Sequence, residues 1–176
     1  MLRSAIPAAA LALLALAGSA RADDPLGALK SKVEGKVKDS ANSAVVDKIN
    51  AKLLDEGRKN QCSFKSDSDV LEPGCDDKAK RLANVLIDVK KQLAASNVKG
   101  FHFVVSGHTD SSGKADHNLE LSKKRAAVMV KELVARGVAA DDILSVGMGS
   151  QKPLVKPDDT PAKKAKNRRY EIQVQL

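Results

Sequence analysis

The stretch Phe101-His102-Phe103-Val104-Val105-Ser106-Gly107-His108-Thr109-Asp110 decides the fold. Phe101, Phe103 and Val105 alternate with His102, Val104 and Ser106, which is the period-two pattern of a strand placed centrally in a sheet. Gly107 to Asp110 then form a polar loop just past its end. Upstream, Leu82, Val85, Leu86, Val89 and Leu93 fall on one face of a helix spanning about 77–95. Before that helix come a short strand candidate, Gln61 to Ser66, and a turn at Leu71-Glu72-Pro73-Gly74. Downstream, a helix over about 117–136 ends before Gly137, a suitable residue to follow a helix. A strand at 142–148, a loop carrying Pro153, Pro157 and Pro161, and a last strand at 169–175 complete the pattern. These elements predict an α+β fold. The expected form is a two-layer α/β sandwich, with a mixed sheet of about four strands, two main helices on one face and a helical extension in front.

The first 22 residues read as a secretory signal peptide. Arg3 supplies the positive start, Ala5 to Gly18 is an uncharged run of 14 residues, and Ala20-Arg21-Ala22 provides the small-residue cleavage pattern. The run is shorter than the ~20 residues of a membrane-spanning helix. Residues 23–60 form a helical or flexible extension. Leu26, Leu29, Val33, Val37, Ala41, Val45, Ile49 and Leu53 recur mostly every four residues, a stripe that drifts around a helix by ~40° per step. Two short helices, about 26–38 and 44–56, hinged at 39–43, are therefore expected, with Asp24-Pro25 opening the first. The composition reads equally well as a mobile spacer or a partner-binding segment. Thirty-eight residues are too few for a membrane β-barrel. Residues 61–176 are expected to make the folded domain.

The chain carries a formal charge of +8, which falls to +6 once Arg3 and Arg21 leave with the signal. Its cations are mixed with 22 anions, and there is no Trp and one Tyr, so stacking surfaces for nucleic acid are missing. The positive balance favours contact with anionic envelope polymers by long-range steering. Cys62 and Cys75 are the only cysteines, and an exported chain favours their pairing as a disulfide. Their spacing is not the Cys-x-x-Cys of thiol redox enzymes.

On the second helix, Leu119, Ser122, Ala126, Met129, Val130 and Leu133 fall within ~100° and read as a core-facing stripe. Asn118, Leu121 and Arg125 lie within ~60° on the adjoining face. The loop containing Asp110 leaves the carboxyl end of the central strand, where open α/β sheets tend to bind ligands. One loop acid and one helix base are thereby directed to a common pocket.

Gly107-His108-Thr109-Asp110, the stretch Asn118 to Ala126, Gly147-Met148-Gly149 and Asn167-Arg168-Arg169 resemble, in order and spacing, the signature of the OmpA-like domain. The resemblance covers about residues 61–176. It implies a small periplasmic member without a membrane β-barrel, associated with the cell wall or outer membrane. It also implies non-covalent binding of the peptidoglycan stem peptide through meso-diaminopimelate, with no cofactor and no catalysis. Asp110 matches the acid that receives the diaminopimelate ammonium, and Arg125 the arginine that holds its carboxylate. Thr109, Asn118 and the backbone near Leu121 are expected to meet the remaining polar groups, with Arg168 nearby. Asp76 and Asp77 fall where a family loop borders the pocket. His117 replaces an aromatic residue often found before the motif asparagine.

Such a ligand carries an ammonium and a carboxylate on one carbon, so its receptor needs an anion and a cation at fixed separation. Arginine's planar fork can meet the carboxylate through two hydrogen bonds. A surface ion pair between Asp110 and Arg125 is the plainer alternative. A metal site is disfavoured because His102 and His108 on one strand stand about 20 Å apart. A wall hydrolase would need a positioned carboxylate pair, which no motif supplies. The remaining alternative is an adaptor of an outer-membrane, secretion or motility assembly, whose task lies in residues 23–60.

Overall fold

The computed structural model describes residues 25–176, with side chains from residue 42 onward. The signal segment 1–22, Asp24, and the side chains of the stripe from Leu26 to Ala41 lie outside the described residues. Two compact units divide the chain, 1–37 and 38–176. Of the first, the backbone from Pro25 is helical; the second holds the sheet and all that follows.

Helix α1 runs Pro25–Lys59, where two helices with a hinge at 39–43 are expected. The segment Asp39-Ser40-Ala41-Asn42-Ser43 contains no Pro or Gly, and its weaker helix formers cost only ~0.7 kcal/mol or less each. Nothing in it therefore breaks the hydrogen-bond ladder. The packed core also begins earlier than residue 61. Val46, Ile49 and Leu53 follow the i, i+3, i+7 spacing of one helix face and are buried, Leu53 completely.

After α1 come α2 (Asp76–Ala95), β1 (His102–His108), α3 (Ala115–Val134), a single 3₁₀ turn at Ala140–Asp142, β2 (Ile143–Gly147), α4 (Pro161–Asn167) and β3 (Arg169–Gln175). The strands form a mixed sheet in the order β2-β1-β3. β1 runs parallel to β2, with Phe103 beside Ile143, and antiparallel to β3, with Phe103 beside Val174. Strand alternation then sends Phe103, Val105, Ile143, Tyr170, Ile172 and Val174 to one face, and all six are buried. They pack with the fully buried Leu82, Leu86, Val89 and Leu93 of α2 and Met129 and Leu133 of α3. On the opposite face Leu144 and Val146 are exposed. Among the described residues no helix is long and apolar enough to cross a membrane.

The fourth strand expected at 61–66 does not join the sheet. Phe64 and Leu71 make only an isolated antiparallel bridge. The free edge of β3 is occupied instead by two side-chain amides. Asn50 accepts from Val174 N at 2.7 Å and donates to Val174 O at 3.1 Å. Gln61 accepts from Tyr170 N at 3.3 Å and donates to Tyr170 O at 2.7 Å. Each amide presents one donor and one acceptor, as a strand residue does, so α1 and its end seal an edge that is otherwise open to pairing.

Helix α3 lies with its backbone against the strand ends, because the strands offer glycine there. A Cβ added to Gly107 would stand 2.2 Å from Ser122 O, and one added to Gly147 would stand 2.7 Å from Leu119 O. Ser122, fully buried, bolts the helix down by accepting from Gly149 N at 2.9 Å. Leu119 is thrown outward and is 38 % exposed, contrary to its expected place in the core stripe. It is helix backbone, not this side chain, that meets the sheet at the first turn. The helix ends at Val134, and the turn that closes it passes through Gly137, whose φ of +101° suits glycine.

Candidate functional site

The carboxyl end of β1, the start of α3, the 62–75 loop and the α4–β3 junction enclose a cavity of about 1090 Å³. Thr109, Asp110, Asn118, Leu121, Arg125 and Arg168 all line it. Asp76 does not. It lies in the first turn of α2, its side chain is 83 % exposed, and it pairs with Arg136. Asp77 likewise does not line the cavity. Two acids opening a helix serve the positive end of its dipole, which accounts for their position.

Asp110 and Arg125 are both 8 % exposed, and they are not ion-paired with each other. The Asp110 carboxylate accepts from Ser112 N at 2.9 Å and from Arg168 Nη1 at 2.8 Å. Burial pushes its pKa up, but the Arg168 and Ser112 hydrogen bonds outweigh that and hold it below the ordinary range. Asp110 is therefore an anion at neutral pH. Arg125 donates from Nε to Ser68 O at 2.9 Å and from Nη2 to Lys65 O at 3.2 Å, and it lies over the Phe64 ring at 5.2 Å. Burial, followed by repulsion from Arg168, lowers its pKa from the usual guanidinium value.

Asn118 holds the acidic loop in shape by donating to Ser112 O at 2.8 Å and Asp110 O at 3.4 Å. A second strut comes from Asp158 and Asn167, which the sequence does not single out as site residues. Asp158 accepts from Ser111 N at 2.9 Å and from the Ser111 hydroxyl, and also from Asn167 at 3.0 Å. Asn167 is fully buried and accepts from Leu154 N and Val155 N at 2.8 and 3.0 Å. Asn167 stands in the quoted Asn-Arg-Arg block, so a signal for it existed. Asp158 lies in a polar, proline-bearing loop with no periodic cue.

Two buried polar atoms among the described residues have no hydrogen-bond partner, Thr109 Oγ1 and His108 Nδ1, and both residues line the cavity. Burial, then the nearby Arg169, lowers the His108 pKa to about 4, against the opposing pull of Glu171. The imidazole is thus neutral at pH 7. Orphaned buried polar atoms are rare in folded proteins and mark places where water or a ligand group is accommodated. At the cavity mouth, exposed His117 bonds Asp67 at 2.6 Å, a polar contact at the position just before Asn118. Cys62 and Cys75 form a disulfide that closes the loop contributing Phe64, Ser66 and Asp67 to the cavity wall.

A two-layer sandwich with a buried acid and a buried arginine in one cleft, on a Gly-x-Thr-Asp loop and an Asn-x-x-Leu-x-x-x-Arg helix, defines an OmpA-like domain. Residues 63–168 match the OmpA family, and the chain belongs to it. The chain is similar to the peptidoglycan-binding protein ArfA of Mycobacterium bovis, 47 % identical over 70 residues that cover 40 % of this chain and 21 % of that protein. It is 35 % identical over 113 residues to the probable lipoprotein YiaD of Escherichia coli, covering 64 % of this chain and 47 % of that protein. The chain therefore spans less than half the length of these curated relatives. Among solved structures, the peptidoglycan-associated lipoprotein of Burkholderia pseudomallei superposes with a TM-score of 0.54 at 25 % identity, over 65 % of this chain and 89 % of that one.

Proposed function

We propose that this protein binds peptidoglycan non-covalently, through the free end of the diaminopimelate side chain, and tethers an envelope component to the wall without bond cleavage. One observation carries the reading. Among the described residues, the cavity holds a buried arginine that pairs with no acid and a buried carboxylate whose one ion-pair partner, Arg168, is itself 44 % exposed at the side chain. A ligand ammonium can displace or share with that exposed partner, and a ligand carboxylate can meet the arginine. Each charge-assisted hydrogen bond contributes ~1.5–3 kcal/mol, with desolvation offsetting part of it. Affinity for one stem is then modest, and repeated sites on the polymer supply the holding power.

Asp110 is held ionised, which suits an ammonium receptor and does not suit a general acid. Names of relatives such as the peptidoglycan-binding ArfA support the same ligand class. In this reading residues 1–22 direct export to the periplasm and are removed. The adaptor alternative is narrowed by packing, since Val46 to Gln61 cover the core and the β3 edge. A partner-binding segment would then be sought in residues 23–45.

The test is co-sedimentation with purified sacculi in moderate salt, with free meso-diaminopimelate as competitor. Wild type is expected in the pellet and displaced by the competitor, while Asp110→Ala and Arg125→Ala remain in the supernatant. Equal pelleting of the folded variants would falsify the site. A wild type that stays soluble sinks the function.

A further inference from the structure

We propose that the loop closed by the Cys62–Cys75 disulfide is the positioning element of Arg125, so that this bond sets how well the pocket selects a free carboxylate. The inference rests on the reading above, in which Arg125 meets the ligand carboxylate. Three contacts from one loop act on this guanidinium: Ser68 O at 2.9 Å, Lys65 O at 3.2 Å and the Phe64 ring at 5.2 Å.

The geometry of the fork gives these contacts their meaning. A guanidinium can present either its Nε/Nη2 side or its Nη1/Nη2 end as a pair of parallel donors to a carboxylate. The loop carbonyls occupy the Nε/Nη2 side. The end of the fork is left as the paired-donor edge for a ligand, and the Phe64 ring lies against the guanidinium at 5.2 Å. A carboxylate is thereby met from a single direction. The same loop forms the adjacent cavity wall through Phe64, Ser66 and Asp67, so the ligand and Arg125 are held against one surface.

The loop's other holds are few: Phe64 and Leu71 pack against the core, and Asp67 bonds His117 at 2.6 Å. Its backbone pairing consists of Lys65 N to Val70 O and Glu72 N to Ser63 O, both 2.9 Å, around the isolated Phe64–Leu71 bridge, and of Ser68 N to Lys65 O at 3.2 Å. Most of its side chains are exposed. Its two ends are anchored by the buried cysteines, 5.0 Å apart at Cα. Cutting the disulfide removes a closure constraint and widens the range of loop shapes. The carbonyl pair then ceases to orient the guanidinium. Phe64 and the disulfide are accordingly positioning groups, acting through Arg125.

The discriminating measurement is calorimetric titration with two ligands: a stem tripeptide ending in meso-diaminopimelate, and the same peptide with the carboxylate at the free end amidated. Oxidised wild type is expected to prefer the carboxylate form by roughly tenfold or more, as a charged hydrogen-bond pair implies. In Cys62→Ser/Cys75→Ser, and in Phe64→Leu with the disulfide intact, that ratio falls to about threefold or less while affinity for the amide is unchanged. Loss of folding would lower both affinities together, and Phe64→Leu retains the closed loop, so the ratio separates positioning from general damage. If wild type discriminates and both folded variants discriminate equally well, the inference is overturned and the binding reading stands. If wild type binds neither peptide, or binds both alike, the binding reading falls and this inference falls with it.

Discussion

Arg168 donates to Asp110 at 2.8 Å, whereas Arg125, a second cation of the cavity, is held by backbone carbonyls. The pair is unequal in exposure, with 44 % of the Arg168 side chain accessible against 12 % for Asp110. Half-exposed ion pairs contribute ~0–1 kcal/mol, so Arg168 is a replaceable neighbour, while Asp110 is the fixed anion.

Substitutions at the two positions should therefore differ in size. Asp110→Asn is expected to weaken diaminopimelate binding by roughly tenfold or more, since a charged acceptor is lost. Arg168→Gln is expected to change it by less than about fivefold. Calorimetry on the two folded variants decides, and equal losses would mean that Arg168 binds the ligand as strongly as Asp110 does.

His108 supplies a pH dependence. Its folded pKa of about 4 lies below the ordinary 6.5, so between those values the unfolded chain binds the proton and the folded chain does not. Stability is full above about pH 6.5 and is lost as pH falls toward 4. The difference corresponds to ~3 kcal/mol at full desolvation, and solvent screening brings it nearer to ~2. Urea midpoints across this range should fall for wild type and stay flatter for His108→Gln. Parallel curves would assign the slope to other groups.

Tyr170 tests the hub beneath the loop. Its hydroxyl donates to Asn60 O at 2.6 Å and accepts from Cys62 N at 3.3 Å, and burial pushes its pKa up to about 12. Tyr170→Phe leaves both backbone groups unpaired and should cost about 1–3 kcal/mol. The readout is the denaturant midpoint at constant slope; an unchanged midpoint would show that water replaces the hydroxyl.

The parts of this fold legible in sequence are those carried by local period. Leu82, Leu86, Val89 and Leu93 repeat at helical spacing and are fully buried, and Phe103 and Val105 alternate into the core. The gathering of Asp110, Asn118 and Arg125 in one cavity follows from a strand-end loop beside a helix face. Contacts between distant single residues leave no such trace. Nothing around Asn50 or Gln61 marks them as covers for β3, and those amides take the place of the expected fourth strand. Asp76 is expected at the pocket only from the position of a loop in the resemblance, and the start of α2 carries it to Arg136 instead. Leu119 shows the limit of a helical wheel, which gives direction around the axis and not how closely the axis approaches its neighbour.

That close approach yields a prediction of opposite sign at two glycines. Gly107 lies near the carboxyl end of β1 and opens the Gly-His-Thr-Asp block, and a Cβ there meets Ser122 O at 2.2 Å, with Ser122 Cα at 3.3 Å behind it. Both atoms are backbone of a fully packed helix, so no side chain can swing aside. Gly107→Ala must push α3 from the sheet, which costs ~1–3 kcal/mol or more. The same displacement loosens the Ser122 to Gly149 bond and carries Asn118 and Arg125 away from Asp110, so ligand affinity falls with stability. Gly57 lies within α1, where an added Cβ meets nothing within 4 Å. Gly57→Ala removes backbone freedom from the unfolded chain and favours the helix, and is expected to stabilise by about 0.5–1 kcal/mol without altering binding. Thermal melts and sacculus pelleting on both variants read out the contrast. A Gly107→Ala protein that melts with wild type and pellets normally would mean that α3 does not rest on the strand end through its backbone.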